Sequence, residues 1–346
     1  MVQYMGIEER KAKREARRKN GPVKRFFKGF FAVFFTLLAA VLIFAVGAIY
    51  IVERGPSPEL RDIFVLSVQQ SSAAKPLARL FLSEEQVQKI LDDNTAKDDD
   101  LTTDTGLVTI DPGQNNTTEE DIIVEDVYGP TYRGKMMIVK DPSRVYVYTL
   151  PTYGGSYGVR VKEMVASEGA VAGINGGGFY DAGGMGNGTI PLGIVMSRGQ
   201  WRNGNKASRF KLIGFDSENH LIVGNMTGYE AINMGMRDAI EWGPALIVNG
   251  EPVDVGNSGG LNPRSAIGQR ADGAVLLLVI DGRQPSSMGA TYLDLIGIMQ
   301  NYGAVNAANL DGGNSSSMVY NGEIITHPSS LNGERGIPTA ILVEAR

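Results

Sequence analysis

The chain has 346 residues, a net charge of −5, 43% apolar and 21% charged residues, which excludes a wholly disordered protein. It contains no cysteine and two histidines, His220 and His327. That excludes a disulfide scaffold, a thiol nucleophile, thiolate zinc sites and a multi-histidine metal centre.

The N-terminus reads as a membrane anchor. Residues 29–52 are free of charge over 24 positions. At about 1.5 Å per residue, such a helix spans ~36 Å, enough for a ~30 Å hydrocarbon core. Residues 1–28 carry ten basic and three acidic side chains. The positive-inside rule places that tail in the cytoplasm and the remainder outside the cell membrane. A signal peptide would have a shorter apolar core and a small-residue cleavage site, and Tyr50-Ile51-Val52-Glu53-Arg54 is not one. The basic run lies directly against the span, so topology explains it and nucleic-acid binding is not expected.

Residues 53–91 read as a helical stalk. Ser57-Pro58-Glu59 gives an N-cap, a proline at the first helical position and an acid in the first turn, predicting a helix over 58–72. Ser83 and Gln86 form a capping-box pattern for a second helix to about Leu91. The simplest role is a spacer. Residues 92–121 are polar and acidic and predict a flexible linker. Its Asp98, Asp99 and Asp100 do not have the spacing of a calcium loop.

Residues 122–346 form the expected catalytic domain. Of the 44 glycines, 36 fall in 131–346, with no Gly-X-Y period, so they mark turns and close backbone approaches. Strand patterns occupy 132–139, 144–150, 170–174, 193–196, 211–215, 221–223 and 244–248, with a helix near 158–168. Ala274–Ile280 is an unbroken apolar run, and apolar positions 292, 295, 296 and 299 predict a helix over 291–302, stopped by Gly303. Ala304–Leu310 is the next strand. A strand–helix–strand crossover makes the two strands parallel. The fold class is therefore mixed α/β, a central mixed sheet with flanking helices behind one transmembrane helix and a short helical stalk.

In that arrangement Asp281 and Asp311 follow parallel strands at one sheet edge, where ligand crevices form. Asn175 follows its own strand in the same way. Asp281-Gly282, Asp311-Gly312-Gly313 and Gly176-Gly177-Gly178 are also ordinary turn sequences. No phosphate loop, dinucleotide fingerprint or nucleophile elbow is present. Ser315–Ser317 have no obvious histidine base. His220 falls in a hairpin turn, and His327 lies nearer the candidate edge. Arg264 and Arg335 precede strand-like segments, where a guanidinium binds either a phosphate or a neighbouring carboxylate.

The ordered set GINGGGFYD (173–181), PLGIV (191–195), NPRSAIG (262–268), VIDGRQ (279–284) and NLDGGNSSSM (309–318) resembles the phosphodiester glycosidase family. The resemblance implies a mixed α/β domain that hydrolyses a sugar 1-phosphodiester to a sugar and a phosphomonoester. On this reading Asp311, with Asp281 second, acts at the anomeric carbon, and Arg264 and Arg335 hold the phosphate. Asn175, Gly176, Gly177, Gly312, Gly313, Asn314 and Ser315 would bind sugar hydroxyls or phosphate oxygens. The residues single out no certain cofactor. A Ca²⁺ or Mg²⁺ ion between Asp281 and Asp311 is the metal variant. The expected partner is a sugar phosphodiester or an envelope glycopolymer, such as an exopolysaccharide. The competing reading is an anchored module that binds such a polymer without cleaving it.

Overall fold

The computed structural model describes residues 5–98, 101–110, 121–181, 186–256, 259–330 and 333–346. It divides into two compact units, Met1–Pro56 and Ser57–Arg346. The first holds helix α1 (Met5–Arg54). Within it Lys24–Arg54 is long and apolar enough to cross a membrane, and its Phe and Leu side chains from Phe26 to Phe44 are exposed.

The second unit opens with α2 (Pro58–Gln69) and α3 (Glu84–Asp93). Both begin where their caps predict. Ser57 Oγ accepts from the Leu60 N–H at 3.2 Å, and Ser83 and Gln86 close a reciprocal capping box. Val65, Leu66, Val87 and Ile90 bury a small core between these helices.

Strands β1 (Ile122–Tyr128), β2 (Arg133–Val139), β3 (Val145–Thr149), helix α4 (Val161–Glu168) and β4 (Ala170–Asn175) follow. Next come β5 (Val195–Ser197), β6 (Gln200–Asn203), β7 (Arg209–Asp216), β8 (Leu221–Thr227), α5 (Gly228–Asn233) and β9 (Met236–Glu241). Strands β10 (Ala245–Val248), β11 (Glu251–Pro252), β12 (Arg264–Arg270), β13 (Val275–Ile280), helix α6 (Tyr292–Asn301) and β14 (Ala304–Asn309) complete the centre. The chain ends with β15 (Met318–Tyr320), β16 (Glu323–Ile324) and β17 (Thr339–Glu344).

These strands form three sheets, in the orders β1-β2-β13-β12-β14-β10-β11, β16-β15-β4-β17-β3 and β6-β5-β9-β7-β8. The mixed α+β class stands, but one central mixed sheet does not: the pairings among the described residues are antiparallel. The crossover from β13 through α6 to β14 does return the chain in the same direction. However, β12 lies between them and pairs antiparallel with both. This central sheet is the heart of the core, with all six residues of β13 buried.

Two expected boundaries shift. The stalk packs in the same compact unit as the strands. The supposed flexible linker is, over its described parts, a bound strap. Asp98 is buried, accepting from Lys211 Nζ at 2.5 Å and from the Ala245 N–H at 3.1 Å. Thr103 exchanges hydrogen bonds with Val223 at 2.8 Å each, and the Thr109 N–H donates to Ala271 O. Polar composition hid this because the strap is held by hydrogen bonds rather than by an apolar face. Asp99, Asp100 and residues 111–120 lie outside the described residues.

Candidate active site

The site forms where β12 begins, β13 and β14 end, and the end of β4 arrives from the second sheet. Asn175, the last residue of β4, is fully buried and locks these parts together. Its Oδ1 accepts from Ser265 Oγ at 2.6 Å and from the Ser317 N–H at 3.3 Å. Its Nδ2 donates to the Asp311 carbonyl at 2.5 Å. Asn175 is thus a positioning residue behind Asp311: its Oδ1 takes two hydrogen bonds and one of its two Nδ2 hydrogens is committed to Asp311 O.

The glycines after it are a packing corner. The Gly176 N–H donates to Thr339 O and the Gly177 N–H to Thr339 Oγ1, both at 3.1 Å, so neither amide is offered to a ligand. A Cβ on Gly178 would lie 2.0 Å from the Trp242 ring, and one on Gly177 would lie 2.8 Å from Glu241 O. Three sheets meet at this corner, and only glycine lets the third sheet come so close.

In front of this corner lies a cavity of about 550 Å³. Its charged lining is Asp181, Arg264, Arg283, Asp311 and Arg335; Gly312, Gly313, Asn314 and Ser315 form one rim. Phe179, Trp242 and Tyr292 supply aromatic walls. Residues 70–73, just after α2, close another side, so the stalk is part of the site and not a plain spacer. It is tied down by Arg283 Nη2 donating to Gln70 O at 3.1 Å and by the Leu261 N–H donating to Ser67 Oγ at 2.8 Å.

Asp311 is the perturbed acid of this cavity. Burial pushes its carboxyl up to about 6, against hydrogen bonds from Ser315 and the Gly312 N–H and the attraction of Arg335; the charge of Asp181 adds to the rise. Asp181 behaves in the opposite way. Burial raises it, but Arg335 and the Gly186 N–H outweigh burial and hold it below the usual carboxylate range. Arg335 grips Asp181 with two hydrogen bonds of 2.8 Å and stacks 4.7 Å from the Phe179 ring centre. Arg335 is therefore the carboxylate-paired arginine, and its charge is largely spent within the protein.

Two other guanidiniums remain. Arg264 is buried, donates to the carbonyls of Gly259, Gly260 and Ala290, and lies 4.2 Å from the Tyr292 ring centre. Arg283 donates to Asn314 Oδ1 at 3.1 Å and to Asn262 Oδ1 at 3.2 Å. Among the described residues neither has a carboxylate partner. Burial lowers the pKa of both, and Arg264 lowers that of Arg283 further, so the two cations sit near each other without a counter-charge. Two guanidiniums of this kind can bind an anion with paired oxygens.

Asp281 does not line the cavity. Its carboxylate accepts from the His327 N–H at 2.8 Å and lies 3.0 Å from His327 Nδ1. The intervening β12 puts the ends of β13 and β14 two strand spacings apart, roughly 10 Å. The second carboxylate in the cavity is Asp181, which closes the GINGGGFYD segment. His327 is exposed beside Asp281, while His220, expected in an open turn, is half-buried and paired with Asp216 at 2.9 Å. A divalent ion between Asp281 and Asp311 does not suit this arrangement, since Asp281 is committed to His327. Among the described residues no group of three His, Asp or Glu side chains is placed to hold a metal.

Sequence reasoning passed over Asp181, Arg283, Trp242, Tyr292 and Asn309. Arg283 stood inside the VIDGRQ segment, but its left-handed backbone (φ 57°) could not be read from sequence. Asn309 Nδ2 donates to Gly243 O at 2.8 Å, while its buried Oδ1 has no partner among the described residues. An orphaned acceptor on a cavity wall costs about 1–3 kcal/mol until a ligand satisfies it.

The sequence profile of the family described as "Phosphodiester glycosidase" matches residues 168–344, half of the chain. The chain belongs to the phosphodiester glycosidase family. The match spans every cavity residue except the stalk segment 70–73. A prophage-derived uncharacterized protein of Bacillus subtilis (strain 168) is 35% identical over 103 residues, 28% of this chain and 16% of that protein. The N-acetylglucosamine-1-phosphodiester alpha-N-acetylglucosaminidase of Mus musculus is 24% identical over 243 residues, 63% of this chain and 46% of the mouse protein. The chain thus spans less than half the length of either relative. The catalytic domain of the zebrafish protein of the same name superposes with a TM-score of 0.56 at 22% identity, covering 67% of this chain and 85% of that one. At that identity the likeness is one of fold.

Proposed function

We propose that this chain is a membrane-anchored hydrolase that cleaves the glycosidic bond of a sugar 1-phosphodiester. The observation that carries the reading is the union, in one cavity, of Asp311 with a carboxyl raised to about 6 and of Arg264 and Arg283 without carboxylate partners. The relative from mouse is named for an N-acetylglucosamine 1-phosphodiester, and that substrate class is carried to this chain as part of the proposal.

The two arginines hold the phosphate, and the rim of Gly312, Gly313, Asn314 and Ser315 receives sugar hydroxyls. Asp311, ionised above about pH 6, takes a proton from water as that water attacks C1. The C1–O bond breaks, its electron pair stays on the phosphate oxygen, and sugar and phosphomonoester separate. A phosphomonoester leaves readily, and Arg264 and Arg283 stabilise the charge that develops on it. Asp181 and Arg335 also line the cavity, and their charges act on Asp311. The apolar helix within Lys24–Arg54 anchors the enzyme, with the basic tail inside and residues 57–346 outside, facing a glycopolymer of the cell envelope.

The test is mass spectrometry of the full-length protein in detergent with an N-acetylglucosamine 1-phosphodiester, beside Asp311→Asn. Release of free sugar and phosphomonoester by the native protein, reduced at least a hundredfold in the variant, supports the reading. Tight retention of a glycopolymer with no release of sugar from any sugar 1-phosphodiester would make the protein a binding module.

A further inference from the structure

The cavity is lined by charge, yet exposed apolar side chains gather around its mouth. Leu77 and Leu80 follow the wall segment 70–73 in the chain. Tyr180 stands between the lining residues Phe179 and Asp181, and its N–H donates to Ile190 O at 2.9 Å. Leu293 follows the lining residue Tyr292, and the Arg283 N–H donates to Met288 O at 3.2 Å. These six side chains are 37–61% exposed. The opposite end of the central sheet carries polar turns. β12 runs from Arg264 at the cavity to Arg270, about 20 Å away. There Ser217, Glu218 and Asp272 are exposed, and Gln269 Nε2 donates to Asn219 O at 2.9 Å. Exposed apolar residues are ordinary when scattered singly; gathered around one opening they mark a contact surface.

We propose that this mouth is a docking face for the lipid bilayer in which the chain is anchored. The inference rests on the membrane anchor proposed above. Leu, Ile and Met side chains enter the boundary between headgroups and acyl chains, where Tyr180 has a ring for one side and a hydroxyl for the other. Lys75 and Arg79 flank Leu77 in the chain and are exposed. Arg79 also holds Glu84 at 2.7 Å, and Lys75 meets the lipid phosphates. The tether favours a bilayer over a second copy of the chain. Only Gly55, Pro56 and Ser57 separate α1 from α2. So short a tether gives the face a high effective concentration of bilayer, whatever the protein concentration. Docked in this way, the cavity opens onto the headgroup layer, and a phosphodiester reaches Arg264 and Asp311 along the membrane surface.

The experiment uses lipid quenching of single fluorophores. The chain has no cysteine, so each single-cysteine variant carries one label. Leu77→Cys, Tyr180→Cys and Leu293→Cys report the mouth, Glu218→Cys the far end and Phe44→Cys the apolar helix. Each full-length protein, labelled with nitrobenzoxadiazole, is reconstituted in phosphatidylcholine–phosphatidylglycerol vesicles with or without lipid spin-labelled in its acyl chains. The three mouth labels are expected to be quenched at least threefold more than the Glu218 label. Mouth labels quenched no more than Glu218 overturn the docking face. That holds whether their emission shows them in water or, blue-shifted, buried against a second copy. The Phe44 label separates docking from anchoring. If it is quenched and the mouth is not, the anchor stands and the docking face falls. If the mouth is quenched and Phe44 is not, the anchor falls and the docking face stands. If neither is quenched, both fall.

Discussion

Replacing Asp311 with Asn should destroy activity and at the same time stabilise the protein at neutral pH. The folded protein holds this carboxyl at about 6, against an ordinary 3.8. Between those values the folded state binds more protons than the unfolded chain, so stability falls as pH rises through that window and stays reduced above it. At about 1.4 kcal/mol per decade, the full penalty at pH 7 is on the order of 3 kcal/mol. Asn has the same shape without the charge but loses part of the hydrogen bonding from Ser315 and Gly312, so a gain of about 1–2 kcal/mol is expected. At pH 4, where the native carboxyl is protonated, the gain should disappear and the variant should be no more stable than the native protein, or slightly less so. The assay is urea unfolding of the full-length protein in detergent at pH 4, 5, 6, 7 and 8. It is followed by tryptophan emission, because Trp201 and Trp242 both lie in the second unit. A variant less stable than the native protein at pH 7, or a difference independent of pH, would refute the argument that burial strains this carboxylate.

The pH profile of native turnover should rise through about pH 6, since the proposed role needs ionised Asp311; a rate falling with pH across that range would make Asp311 an acid instead. Arg283→Ala should weaken inhibition by inorganic phosphate roughly ten- to hundredfold, the size of a charge-assisted hydrogen bond, and unchanged inhibition would remove Arg283 from the anion site. Asp281→Asn should change kcat less than tenfold because that side chain faces His327; a loss equal to that of Asp311→Asn would restore it as a catalytic group. Gly178→Ala places a methyl group 2.0 Å from the Trp242 ring and should cost about 1–3 kcal/mol in unfolding and shift the tryptophan emission, whereas a native-like spectrum and stability would contradict the packing described.

The residues that form local structure were legible in the sequence. The caps at Ser57 and Ser83 and the buried β13 follow from short-range rules. So do the places of Arg264 at the start of β12 and of Asp311 just beyond β14. Partnership was decided only by tertiary structure. β12 separates β13 from β14, which sends Asp281 to His327 and leaves Asp181 as the second acid beside Asp311. Asn175, Gly176 and Gly177 were placed correctly at the strand end, yet the meeting of three sheets commits the Asn175 Oδ1 and the Gly176 and Gly177 amides to other parts of the protein. Arg335 meets Asp181, while Arg264 and Arg283 meet no carboxylate among the described residues, though all three arginines look alike in the chain. Local chemistry depends on neighbours within a few positions, so a sequence displays it. Charge pairing and cavity walls depend on residues over a hundred positions apart, as between Asp181 and Arg335, and only the packed fold brings those together.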